Sequence, residues 1–158
     1  MYPSPPIPVW DVTSAGTVIS GDARPYLLVE TNADGAAVRR FERNLPLARI
    51  PASECADSAR ALERRIDSLP VPITRPEVFG VPDDVKARRL PTDYPAYMAV
   101  FAAADGRVWV RRWPLAGRRD ESVFDVFDGA ARFLGTVIAP VRLAAGRHPV
   151  INRESLIV

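Results

Sequence analysis

Short apolar runs, cut every four to six residues by a glycine, a proline or an Asp-Gly pair, most constrain what this 158-residue chain can fold into. Between Val9 and Phe41 the order is VWDVT, Ser14-Ala15-Gly16, TVIS, the loop GDARP, YLLVET, Asn32-Ala33-Asp34-Gly35 and AAVRRF. Strands of that length, joined by turns whose glycines supply positive φ, make an antiparallel meander. The sixteen prolines point the same way, because proline is excluded from helix interiors and central strands. The residues predict a mostly β chain of four-stranded antiparallel meanders.

One segment breaks the rhythm. In PASECADSARALERRIDSL, residues Cys55, Ala59, Leu62, Ile66 and Leu69 recur at spacings of four and three, the stripe of an amphipathic helix over about 53–69. Ser53 is the expected N-cap, Glu54 and Asp57 suit the positive end of the helix dipole, Arg64 and Arg65 suit the other, and Pro70 stops it. A proline-rich connection runs on to Pro95. The meander then returns as YMAVFAA, Asp105-Gly106, RVWVRRW, the loop PLAGRRDE, SVFDVF, Asp128-Gly129 and RFLGTVIA.

The two meanders align. Gly16 falls on Gly106, and Asp34-Gly35 falls on Asp128-Gly129, where DGAA is identical in both. The order of strand, glycine turn, strand, loop, strand, Asp-Gly turn and strand is kept, as in a duplicated four-strand unit. A single twisted four-stranded sheet has two apolar faces and cannot bury both alone. Radial stacking, as in the blades of a β-propeller, covers them. Val9, Val18, Leu28 and Val38 are expected at such interfaces in the first unit, and Val100, Val108, Val110, Phe124, Val126 and Leu134 in the second.

The stretch AAADGRVWVRRWPLAGRRDESVFDVFDGAARFLGTV resembles six-bladed β-propeller proteins of bacteria, of NHL-like type. Asp105, Gly106, Arg107, Trp109, Val110 and Arg111 match the first half of their blade pattern; Asp125, Val126, Phe127, Asp128 and Gly135 match the second. The resemblance implies a single incomplete propeller over 1–158. Its first blade unit would be 8–44, its inserted helix and connection 45–95, its second unit 96–139, and part of a third blade 140–158. It also implies ligand or partner binding, in a periplasmic or extracellular setting if the true amino terminus lies upstream. Propellers need at least four blades to close. The expectation is therefore the carboxy-terminal portion of a longer propeller, or copies that self-associate through open blade faces.

Composition removes several chemistries. Cys55 and His148 are each the sole residue of their type, which excludes an internal disulfide, a cysteine-based metal site and any two-histidine motif. A net charge of +2 gives no footprint for nucleic acid. No run of eighteen apolar residues exists to span a membrane, and MYPSPPIPVW is not a signal peptide. No cofactor is expected.

The candidate ligand residues are Arg107, Trp109 and Arg111, which share one face of a strand by alternation, with Arg118 and Arg119 in the next loop. Guanidinium and indole together suit an anion or a planar ligand. The plainer alternatives are an outer face where arginine covers tryptophan, and a solvated loop. Asp83-Asp84 reads as a turn or helix start. His148, Ser122 and Ser155 lack the partners that catalysis requires. The functional expectation is a non-catalytic binding or scaffold module acting on a protein or small-molecule ligand through blade loops. The alternatives are a fragment with no independent activity, or part of a propeller hydrolase or lyase.

Overall fold

The computed structural model describes residues 8–67, 92–114, 121–140, 150–151 and 156–157. The described residues are mostly β, in two four-stranded antiparallel meanders with one helix. The first sheet runs β1 (Val9–Val12), β2 (Val18–Gly21), β3 (Leu27–Thr31) and β4 (Ala37–Glu42), each strand pairing with the next. The second runs β5 (Tyr97–Ala102), β6 (Val108–Arg112), β7 (Ser122–Phe127) and β8 (Phe133–Ala139) in the same order. A short hairpin of β9 (Val150–Ile151) and β10 (Leu156–Ile157) follows.

The chain divides into two compact units, one within Ala48–Tyr94 and one made of Pro6–Leu47 and Pro95–Val158. The first contains the helix α1 (Ala52–Asp67), a bridge between Arg49 and Asp93, and a hydrogen bond of 2.5 Å from the Tyr94 hydroxyl to Glu54. The helix begins earlier than its stripe suggests. The Cys55 N–H bonds the Pro51 carbonyl, which places Ser53 inside the first turn rather than at the cap. Both sheets belong to the second unit.

The connections β1–β2, β3–β4, β5–β6 and β7–β8 are built alike. In each, the first loop residue takes a hydrogen bond at its carbonyl from the residue three further on, and gives one at its N–H to the carbonyl four further on. The pairs are Thr13 with Gly16 and Thr17, Asn32 with Gly35 and Ala36, Ala103 with Gly106 and Arg107, and Asp128 with Ala131 and Arg132. The residue three beyond that first one has φ of 78° at Gly16, 79° at Gly35, 82° at Gly106 and 62° at Ala131. Such a three-residue loop closing on a left-handed residue is a favoured hairpin form. This shared geometry corrects the sequence alignment. Gly16 does fall on Gly106, but Asn32 falls on Asp128 and Gly35 on Ala131, so the shared DGAA is out of register. Both Asn32 and Asp128 use Oδ1 to accept two backbone N–H groups of their own loop. A bulge recurs at the same place, with Val38 and Leu134 as the extra residues of β4 and β8.

Corrected registers give each sheet two comparable faces. The front rows are Asp11–Ile19–Glu30–Arg39 in the first sheet and Phe101–Trp109–Val126–Gly135 in the second. The back rows are Trp10–Ser20–Val29–Arg40 and Val100–Val110–Asp125–Thr136. The front of the first sheet packs on the back of the second. Ile19, Leu28 and Phe41 there join Val100, Val108, Val110 and Phe127 in one buried cluster. Edge-on aromatic pairs fill its middle, Tyr26 on Tyr97 at 5.1 Å and Phe41 on Phe127 at 5.7 Å. The front of the second sheet holds a smaller cluster of Phe101, Ala103, Phe124 and Ala139.

Three residues expected at interfaces are exposed instead: Val18 at 37%, Val38 at 51% and Leu134 at 54%. Val18 lies on the back of the first sheet opposite the exposed Val12, and the other two are the bulged residues, displaced from the pleat. Glycine substitutions separate two kinds of constraint. A Cβ at Gly106 meets nothing within 4 Å, whereas one at Gly21 runs into the Tyr97 hydroxyl and the Leu27 carbonyl. Gly106→Ala is expected to cost about 1 kcal/mol, the price of a left-handed alanine. Gly21→Ala should cost about 2–4 kcal/mol through overpacking. Urea titrations of the two variants, read by circular dichroism, check the order.

Candidate functional site

Polar groups are buried where the two sheets meet. Asp125 sits mid-strand in SVFDVF on the back of the second sheet, and it is fully buried. A carboxylate there requires partners, because desolvating an unpaired one costs several kcal/mol. Arg43, just past β4, supplies the charge with its Nη1 2.6 Å from Asp125 Oδ1. The Thr136 hydroxyl, directly opposite on β8, donates to the same oxygen at 2.8 Å. The Arg43 guanidinium lies 3.8 Å over the Phe133 ring, which fixes its plane through a cation–π contact. The Tyr26 hydroxyl and Asp125 Oδ2 are both buried without a hydrogen-bond partner. Burial first, and the Asp125 charge second, push the Tyr26 phenol well above its ordinary pKa of 10.0.

A second ion pair lies on the facing surface. Glu30, 1% exposed, accepts two hydrogen bonds from Arg39 at 2.7 and 2.8 Å and one from the Thr17 hydroxyl at 2.6 Å. The Arg39 hydrogen bond holds the Glu30 carboxyl below its ordinary pKa of 4.5, against the opposing effect of burial. Arg39 also donates through Nη1 to the Gly129 carbonyl of the other sheet. Three further bonds join the sheets. The Ala102 N–H donates to Asp11 Oδ2 at 2.8 Å, and the Tyr97 hydroxyl accepts from Ala23 N–H at 3.0 Å while donating to Leu27 O at 2.8 Å. Burial pushes the Tyr97 phenol up to about 12.

The candidate ligand residues fall elsewhere. Trp109 and Arg111 share the front of the second sheet, where Trp109 stands edge-on to Phe124 at 5.9 Å and Arg111 is 7% exposed. Arg107 closes the β5–β6 loop, 3.5 Å from Asp105 through its Nε. Arg118 and Arg119 lie outside the described residues, as do Asp83, Asp84, His148 and Ser155. Ser122 is buried at the start of β7. Among the described residues no group of three or more His, Cys, Asp or Glu is placed to hold a metal ion, and no helix is long and apolar enough to cross a membrane. No protein-family model, curated protein or solved structure matches the chain.

The polar junction was not read from the sequence, although SVFDVF carries its signal. An aspartate within a strand apolar on both sides must find a buried cation, and Arg43 lies 82 residues away, outside any local pattern. The geometry is that of a structural clasp, since Arg43 and Asp125 pair with each other where the two sheets meet. Arg43→Met should cost about 3–5 kcal/mol by stranding Asp125, and Arg43→Met with Asp125→Val should recover more than half of that. A single variant no less stable than a surface substitution, in urea titration, would refute the clasp.

The two tyrosines set an alkaline limit. Their folded pKa values lie above the unfolded 10.0, so the unfolded chain releases protons first as pH rises. Their contribution is complete below pH 10 and is lost as pH climbs through about 12. Stability should therefore fall between about pH 10 and about pH 12, and less steeply in Tyr97→Phe; urea titration at each pH measures the slope.

Proposed function

We propose that this chain is a non-catalytic binding and scaffold module of β-propeller type, which takes a protein or small-molecule ligand on an open sheet face and the hairpin loops beside it. One observation carries the reading. The back of the first sheet corresponds, row for row, to the back of the second, which the first sheet covers, yet it stands open. Trp10 on it is 64% exposed, Val12 48% and Val18 37%. Exposed apolar surface of this concentration marks interaction sites in soluble proteins. Front-to-back stacking of equivalent sheets is also the step that, repeated around an axis, builds a propeller. The pairing of each buried carboxylate with an arginine, and the lack of a nucleophile beside a base among the described residues, favour binding over catalysis.

The apolar dye 8-anilinonaphthalene-1-sulfonate serves as a probe of the open face. The folded protein should bind it with enhanced, blue-shifted emission, and Trp10→Lys with Val12→Lys should reduce that emission at least about threefold with the unfolding midpoint nearly unchanged. Absence of dye binding by the cooperatively folded protein would overturn the binding face. Aggregation without a cooperative unfolding transition would favour the alternative, a piece of a larger propeller with no independent activity.

A further inference from the structure

The two outer strands occupy the same place in the repeat but are defended differently. An outer strand presents unpaired N–H and C=O groups along one edge, and proteins that stay monomeric guard that edge with charge. Strand β4 carries Arg39, Arg40 and Glu42 among its six residues. Strand β8, FLGTVIA, carries no charge in seven. In the described sheet β8 is hydrogen-bonded on one side only, to β7. Several of its side chains stand open, with Leu134 at 54%, Val137 at 43% and Ile138 at 52%, while Ala139 is buried.

We infer that β8 is a self-association edge, pairing antiparallel with β8 of a second copy so that two second sheets join into one eight-stranded sheet across a two-fold axis. The occupant follows from three features. The bulge at Leu134 confines regular geometry to the stretch from Gly135 to Ala139, whose centre is Val137. A two-fold axis there sets Val137 opposite Val137, and Thr136 opposite Ile138, all β-branched pairs that suit adjacent strands. Like charges do not oppose this pairing, whereas the same operation on β4 would bring arginines together. The new ladder continues the established β5–β8 sheet, and an isologous contact closes at two copies. This edge is separate from the open back of the first sheet, so either can fail without the other.

Sedimentation equilibrium of the full chain from about 5 to about 500 μM tests the inference. The mass should rise from 17.4 kDa toward twice that value, and stop there. Val137→Lys with Ile138→Lys should hold it at the monomer, while Trp10→Lys with Val12→Lys should leave the dimer intact. Hydrogen exchange on the unmodified protein gives a reading that no folding defect can blur: β8 amides should gain at least about tenfold protection between the two concentrations. A mass of 17.4 kDa throughout, growth beyond two copies, or a dimer lost only through Trp10 and Val12 would overturn it.

Discussion

The Asp125 carboxylate is buried between two sheets, and the way its charge is met governs how those sheets can be arranged. Its counter-ion comes from the other sheet's side of the interface, through Arg43 at the end of β4. Thr136 and the Phe133 ring then hold acid and base in place from β8. Sliding or rotating the sheets would strand a carboxylate at a cost of several kcal/mol, far more than one displaced apolar contact. The aromatic cluster around Tyr26, Tyr97 and Phe127 contributes area, whereas the ion pair contributes position.

Most of the architecture was legible because it is local. Alternating apolar residues, glycine turns and proline punctuation gave the eight strands of both meanders to within a residue or so of their observed ends. The repeat was legible in part. The Gly16–Gly106 match holds, but Ala131 takes a left-handed conformation where Gly35 would lead one to look for glycine. An alignment anchored on Asp-Gly therefore slips by two residues, and only the hydrogen bonds of Asn32 and Asp128 reveal it.

The polar junction was not legible, for a physical reason. Burial of Glu30 and Asp125 depends on which face of one sheet meets which face of the other, and strand periodicity is silent on that pairing. Arginine abundance concealed the answer further. Arg39 and Arg43 look like their neighbours Arg40 and Arg49 in sequence, and only their placement separates a clasp from a solvated side chain.

Comparing equivalent positions shows why the sheets stack in one order. Glu30 corresponds to Val126, and Val29 to Asp125, through the shared hairpin geometry. Each sheet thus has one acidic residue in this pair of positions, and in both cases it sits on the face turned into the shared layer. Arg39 pairs with Glu30 and Arg43 with Asp125, so neither of these two acids is left in that layer without a counter-ion. The reverse stacking, with the front of the second sheet on the back of the first, would bring Val126 toward Val29 and leave Glu30 and Asp125 facing outward. That arrangement has apolar attraction but nothing to fix its register. The charged pairs therefore select the observed order by penalising the alternatives, which is a use of buried ion pairs that does not require them to add net stability.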